Sequence, residues 1–174
     1  MAPADSRIQE VFVATSSRAF AFLEEGWGFR HCDILERGLT DPRDRETRSR
    51  YRSDRVVVDV ALTYIECGLF VSAWRIPLGA SASACWDLRP TGAVNLDHFL
   101  KDRLGKDIPP LFPDLPKILY LSDIVNRQVR RYIRIVVPRL AEAIEATANR
   151  LEKYGGPLLS GDPTAFPPVV PHRC

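Results

Sequence analysis

Arginine is concentrated in two stretches of this chain, and these hold the side chains best suited to recognition chemistry. Between positions 43 and 55 stand Arg43, Arg45, Arg48, Arg50, Arg52 and Arg55, with Asp44, Glu46 and Asp54 interleaved. A guanidinium presents a planar fork of donors that matches a carboxylate or phosphate in two parallel bonds. From Arg48 to Arg52 the arginines alternate, so on a strand they share one face while Tyr51 points to the other. Such a face is fit to grip phosphate or an acidic protein surface, with Tyr51 as an anchor. The plainer reading is an internally neutralised edge strand whose charge discourages pairing with other chains.

The second stretch opens a long helical pattern with Arg127, Arg130, Arg131, Arg134 and Arg139, and Glu142, Glu145 and Glu152 follow. Arg127, Arg131 and Arg134 fall on one helix face, opposite much of the apolar stripe. Cations early and anions late oppose the helix dipole, at roughly a few tenths of a kcal/mol per residue. That order calls for carboxylates elsewhere in the fold, or on a partner.

Signals for catalysis are sparse. His31, His98 and His172 are never three or four positions apart, and no H-E-x-x-H occurs. His31 and Cys32 are neighbours, so on a regular strand they point to opposite faces. There is no G-x-S-x-G; the run Gly79, Ala80, Ser81, Ala82, Ser83 reads as a small-residue connection, without the lysine of a phosphate-binding loop. Cys85 beside Trp86 reads as a buried thiol. Asp54 with Asp59, and Glu24 with Glu25, form no acid–base pair on one face. Asp59 interrupts an otherwise apolar strand, and an exposed position or an ion pair with an arginine is preferred for it over a functional buried carboxylate. No cofactor or metal motif stands out, and a non-enzyme is favoured.

Composition bounds the class. With 174 residues, 45% hydrophobic and 26% charged, the chain is long enough and apolar enough to fold around one core. A net charge of +2 gives no general pull toward nucleic acid or anionic lipid. The basic patches also lack interleaved exposed aromatics and any known nucleic-acid-binding signature, so nucleic acid is the weaker partner class. The apolar runs Val56–Ile65 and Leu69–Trp74 fall short of the roughly 20 residues a membrane helix needs. No apolar leader follows Met1–Arg7. Cys32, Cys67, Cys85 and Cys174 are unclustered and read as free thiols, which makes the cytoplasm the expected location.

The elements that must position these residues follow from periodicity. Ile8, Val11, Phe12, Thr15, Ala19, Phe22 and Leu23 predict a helix over 6–25, capped by Ser6 and stopped at Gly26 and Gly28. Strands are predicted over 29–35, near 49–53, over 56–65 and 69–76, with a turn at Glu66, Cys67 and Gly68 in which Gly68 takes positive φ. A further strand is read over 83–89. Asn95 caps a short helix through Leu104, ended by Gly105. The prolines of 109–116 make an irregular docked arm. A helix over 122–154 is expected to kink or divide at Pro138. The tail, 157–174, reads as extended and partly loose. Together these predict a single α+β domain over 1–174. Its antiparallel sheet of about four strands is flanked by an N-terminal helix and a long, Pro-kinked C-terminal helix.

The segment Phe22, Leu23, Glu24, Glu25, Gly26, Trp27, Gly28, Phe29, the hairpin Val56–Ile76, and the ending Ala148, Leu151, Tyr154, Gly155, Gly156, Pro157 through Asp162 resemble small bacterial proteins of the immunity-protein type. The resemblance implies a helix, an antiparallel sheet with charged edge residues and a closing helix, and a role in neutralising a toxin by covering it. The expected function is therefore a non-catalytic protein-binding module, contacting another protein through Arg48, Arg50, Tyr51, Arg52, Arg127, Arg131 and Arg134. A nucleic-acid or phosphate-ligand protein using the same arginines is the alternative.

Overall fold

The computed structural model describes residues 3–37, 46–63, 68–76, 92–105 and 125–167, apart from the side chains of residues 3–7, 33, 37 and 125–136. Helices α1 (Pro3–Ala19) and α2 (Ala21–Trp27) come first, followed by strands β1 (Arg30–Arg37), β2 (Glu46–Arg52), β3 (Val56–Thr63) and β4 (Gly68–Arg75). A short strand β5 (Val94–Asn95) runs into α3 (Leu96–Leu104). Helices α4 (Val125–Tyr154) and α5 (Gly156–Leu159) and a 3-10 turn (Pro163–Ala165) follow.

Helices thus combine with an antiparallel sheet, as the pattern of elements implies. Among the described residues the sheet has five strands rather than about four, in the order β1-β2-β3-β4-β5. Every neighbouring pair is antiparallel. β2 is therefore an interior strand, not the solvated edge its charges suggested.

One cluster forms the core on the helix side of the sheet. Val56, Val58, Val60 and Leu62 of β3 and Leu69, Val71 and Ala73 of β4 pack with Phe12 and Phe20 from the first helices and Leu140, Ile144 and Leu151 from α4. Burying each such aliphatic side chain stabilises the fold by roughly 1.5–3 kcal/mol. The stripe read along 6–25 does face this core, but the backbone breaks at Phe20 (φ −99°, ψ 11°) and makes two helices. Phe20 is fully buried there, so the bend aims its ring inward. Ser6 lies inside α1, whose start at Pro3 suits a residue with no N–H to leave unsatisfied. Gly28 closes α2 with φ 68°, a left-handed conformation.

Later elements revise other expectations. Asn95 caps α3 as read, its side chain accepting from the Asp97 and His98 amides. α4 runs undivided through Pro138, which is exposed. Residues 156–166 are folded rather than loose, and Leu158, Leu159, Ala165 and Phe166 are buried. Cys32 is disulfide-bonded, and Cys67, Cys85 and Cys174 lie outside the described residues. The reading of four free thiols is thereby corrected, and the cysteines no longer argue for a reducing compartment. The strand read over 83–89, the proline arm, the small-residue run at 79–83, and Arg43 and Arg45 also fall outside the described residues.

Candidate functional site

The sheet face turned away from the core cluster carries the charged residues. Strand alternation puts Glu46, Arg48, Arg50 and Arg52 of β2 on that face. Register then sets their neighbours. Glu46 pairs with Thr63 and Thr63 with Gly68; Arg48 with Ala61 and Ala61 with Phe70. Arg50 pairs with Asp59, Asp59 with Ser72, and Ser72 with Asn95.

At the centre, Arg50 grips Asp59 with both arms of its fork: Nε donates to Oδ1 at 2.6 Å and NH2 to Oδ2 at 2.8 Å. Both residues are almost wholly buried, Arg50 at 1% exposure and Asp59 at 2%. Arg48 NH1 adds a second donor to Oδ2 at 2.7 Å. On its other side, Arg48 Nε donates to Glu46 Oε1 at 2.6 Å, with NH2 at 2.5 Å from the same oxygen. Burial works against the Arg48 charge, but Asp59 and Glu46 together outweigh it and hold its pKa above the ordinary value. The Arg50 guanidinium also lies 4.9 Å from the centroid of the Trp74 ring, within cation–π range. Arg48 and Arg50 thus clasp Asp59 between them, and Arg48 carries the brace on to Glu46. A buried pair of this kind adds little net stability, but removing one partner strands a charge.

Beside this brace opens a recess of about 340 Å³, lined by Glu46, Arg48, Asp59, Ala61, Thr63 and Phe70 and, farther along, by Ser72, Trp74, Ala93 and Asn95. At one end it forms a slot, whose sides follow from the strand register. Ala61 and Thr63 floor it, Glu46 and Arg48 make one wall, and the Phe70 ring makes the other. That ring lies over Gly68, where any added Cβ would collide with it. Gly68 is therefore needed for ring room and not for the positive φ expected of it; the positive-φ glycines described are Gly28, Gly92, Gly105 and Gly161. Trp74, 1% exposed, leaves its indole Nε1 buried without a hydrogen-bond partner.

The residues singled out from sequence divide sharply. Arg48 and Arg50 come together, along with Asp59, in the ion pair preferred for that carboxylate. Arg52 is half-buried on the same strand, opposite Val57. Tyr51, expected as an anchor for a partner, is 1% exposed and belongs to the core. Its hydroxyl donates to the Ser16 carbonyl at 3.3 Å, and its ring sits 4.9 Å from His31 and 6.1 Å from Phe20. Burial pushes its phenol pKa up. A ring in that position has no surface to offer a partner. Arg127, Arg131 and Arg134 lie on α4, but their side chains are outside the described residues.

His31 Nε2 is 2.9 Å from Ser49 Oγ, a nucleophile-and-base pairing in outline. Ser49 is fully buried, however, so no substrate reaches it and the pair reads as a core hydrogen bond. Cys32 sits at the irregularity between His31 and Asp33, where β1 shifts register. Among the described residues no group of three or more His, Cys, Asp or Glu gathers to hold a metal ion. No helix of the described residues is long and apolar enough to cross a membrane.

Glu46, Phe70, Ser72 and Trp74 were missed as site residues. Their signal was present in the alternation Phe70, Ser72, Trp74, which marks one face of β4. What sequence does not provide is the pairing that sets that face beside Arg48. No family model matches the chain, and no curated protein or solved structure matches it.

Proposed function

We propose that this chain is a non-catalytic protein-binding module, of the kind the immunity-type resemblance implies: an inhibitor that neutralises a partner protein by covering it. The observation that carries this reading is the recess beside the Glu46–Arg48–Asp59–Arg50 brace. Its polar walls are fixed by charge-assisted bonds, and its remaining walls are small or aromatic. A rigid, partly apolar recess with a few oriented polar groups is the form of a recognition site. Chemistry would need a nucleophile joined to a base. The recess hydroxyls do not provide one: Thr63 Oγ1 donates to the Gly68 carbonyl at 3.5 Å, and Ser72 is joined to no base among the described residues.

Phosphate or nucleic acid is the less favoured ligand on this face. The Arg48 donors already bond Glu46 and Asp59, and Arg50 grips Asp59 from both arms, so a phosphate would have to displace carboxylates. Arg127, Arg131 and Arg134 of α4 are assigned a supporting role, as charge that tunes association more than affinity.

The test is capture of partners from nuclease-treated lysate of the source organism, followed by co-expression of the captured protein with this chain. A single stoichiometric protein whose toxicity this chain relieves is the expected result. Recovery of nucleic acid alone overturns the reading. Replacing Arg127, Arg131 and Arg134 together by Ala should slow association at low salt and leave the thermal midpoint nearly unchanged.

A further inference from the structure

The slot between Glu46 and Phe70 has a chemical preference of its own. We infer that it receives a cationic side chain of the partner protein, the guanidinium of an arginine or the ammonium of a lysine. The inference rests on the binding-module reading and names what the partner must bring.

Three observations point the same way. First, Glu46 keeps one carboxylate oxygen outside the brace. Arg48 directs Nε and NH2 to Glu46 Oε1 and NH1 to Asp59, which among the described residues leaves Glu46 Oε2 outside these bonds. The Glu46 side chain is 19% exposed, so part of it meets solvent in the folded chain. Second, the facing wall is an aromatic ring. Phe70 is half-buried, and its position over Gly68 turns it toward the row that holds Thr63 and Glu46. A cation set between a carboxylate and a ring face gains from both the charge and the ring quadrupole. Third, the dimensions fit one flat group. Glu46 and Gly68 are two strand spacings apart, roughly 9–10 Å between backbones, and Ala61 and Thr63 between them are too small to fill the gap.

An anion is less well served in the slot, since the unpartnered donor of the recess, Trp74 Nε1, lies farther along it. The charged residues lining the recess are two carboxylates and one guanidinium, and that guanidinium is bonded to both carboxylates. The second guanidinium, Arg50, does not line the recess and is closed onto Asp59.

The experiment uses the full chain, isotope-labelled, titrated with N-acetyl-arginine methylamide and followed through the backbone amides of Thr63, Gly68 and Phe70. Acetate, inorganic phosphate and spermidine are run as parallel titrants. Saturable shifts with the capped arginine are expected, with a dissociation constant on the order of millimolar for so small a ligand. Glu46→Gln keeps the shape of the wall and an acceptor for Arg48, and should weaken the capped arginine about tenfold. Gly68→Ala, which forces the Phe70 ring to move, should weaken it about threefold. Acetate or phosphate moving the same amides while the capped arginine does not overturns the inference, as does undiminished arginine binding by Glu46→Gln. Spermidine binding far more tightly than the capped arginine overturns the assignment to a partner side chain. A captured partner that binds equally well after each of its interface arginines and lysines is replaced also defeats the slot inference, yet leaves the binding-module reading intact. Failure to capture any partner defeats the binding-module reading, whereas the preference of the slot for a cation is decided by the titrations alone.

Discussion

β2 and β3 each present two faces, and the two differ in how their burial is satisfied. Toward the helices, Val58, Val60 and Leu62 meet apolar side chains from α1, α2 and α4, and their stabilisation grows with area and depends little on direction. On the opposite face, Arg50 and Asp59 are just as buried, but their burial is tolerable only because two donors and two acceptors meet at bonding distance. One face can absorb small errors of fit. The other cannot, and for that reason it holds a recess of definite shape beside it. The difference shows how a sheet of modest size supports both a stable core and a preorganised recognition surface.

Breaking the polar face should have the larger effect. Asp59→Ala removes the carboxylate that Arg50 grips with both arms and is expected to cost about 3–5 kcal/mol, read as a lowered midpoint in urea unfolding. Leu62→Ala, on the apolar face, should cost about 2–5 kcal/mol through the cavity it leaves. The sharper test is the double variant Arg50→Met with Asp59→Leu. It converts the polar centre to an apolar one, so its stability should return to within about 1–2 kcal/mol of the parent or exceed it. Its recess should nevertheless lose affinity for the partner, because Arg48 and Glu46 are no longer braced. If the double variant is as unstable as Asp59→Ala, the two faces do not differ as described.

Tyr51→Phe removes the hydroxyl that donates to the Ser16 carbonyl, and should cost about 0.5–1.5 kcal/mol. Partner binding should be unchanged, because the ring stays buried; a lost partner would return Tyr51 to the interface. Burial raises the Tyr51 phenol pKa, so the folded state resists ionisation more than the unfolded chain does. The parent should therefore lose stability as pH rises above about 10, the usual tyrosine value, and Tyr51→Phe should lose less, as equilibrium unfolding across that range would show. The smallest effect is expected away from both faces. Arg18 and Glu145 form an exposed ion pair between α1 and α4, with side chains 71% and 48% exposed. Arg18→Ala should cost about 0.2–1 kcal/mol, diminishing with added salt.

Much of the scaffold was legible in the sequence, and the site was legible only in pieces. The stripe from Ile8 to Leu23, the strand from Val56 and the cap at Asn95 are local signals, each contained within a few turns or one strand. The sharing of a face by Arg48, Arg50 and Arg52 is of the same kind. The split at Phe20 was hidden because an apolar stripe continues across it, and the bend answers to the core below. Gly68 was misread because a glycine after a strand suggests a turn, whereas the need here is for the ring two residues along.

What the sequence determined by itself is therefore the class of fold, most element positions, and the alternation that separates Tyr51 from the arginines beside it. These depend on backbone periods of two and 3.6 residues, which any stretch of chain carries within itself. Only tertiary structure decided that β2 lies inside the sheet, that Arg50 faces Asp59, and that Phe70 closes a slot opposite Glu46. Those facts rest on strand order and register. A slip of one residue between β2 and β3 would put Asp59 on the other face from Arg48 and Arg50 and undo the brace.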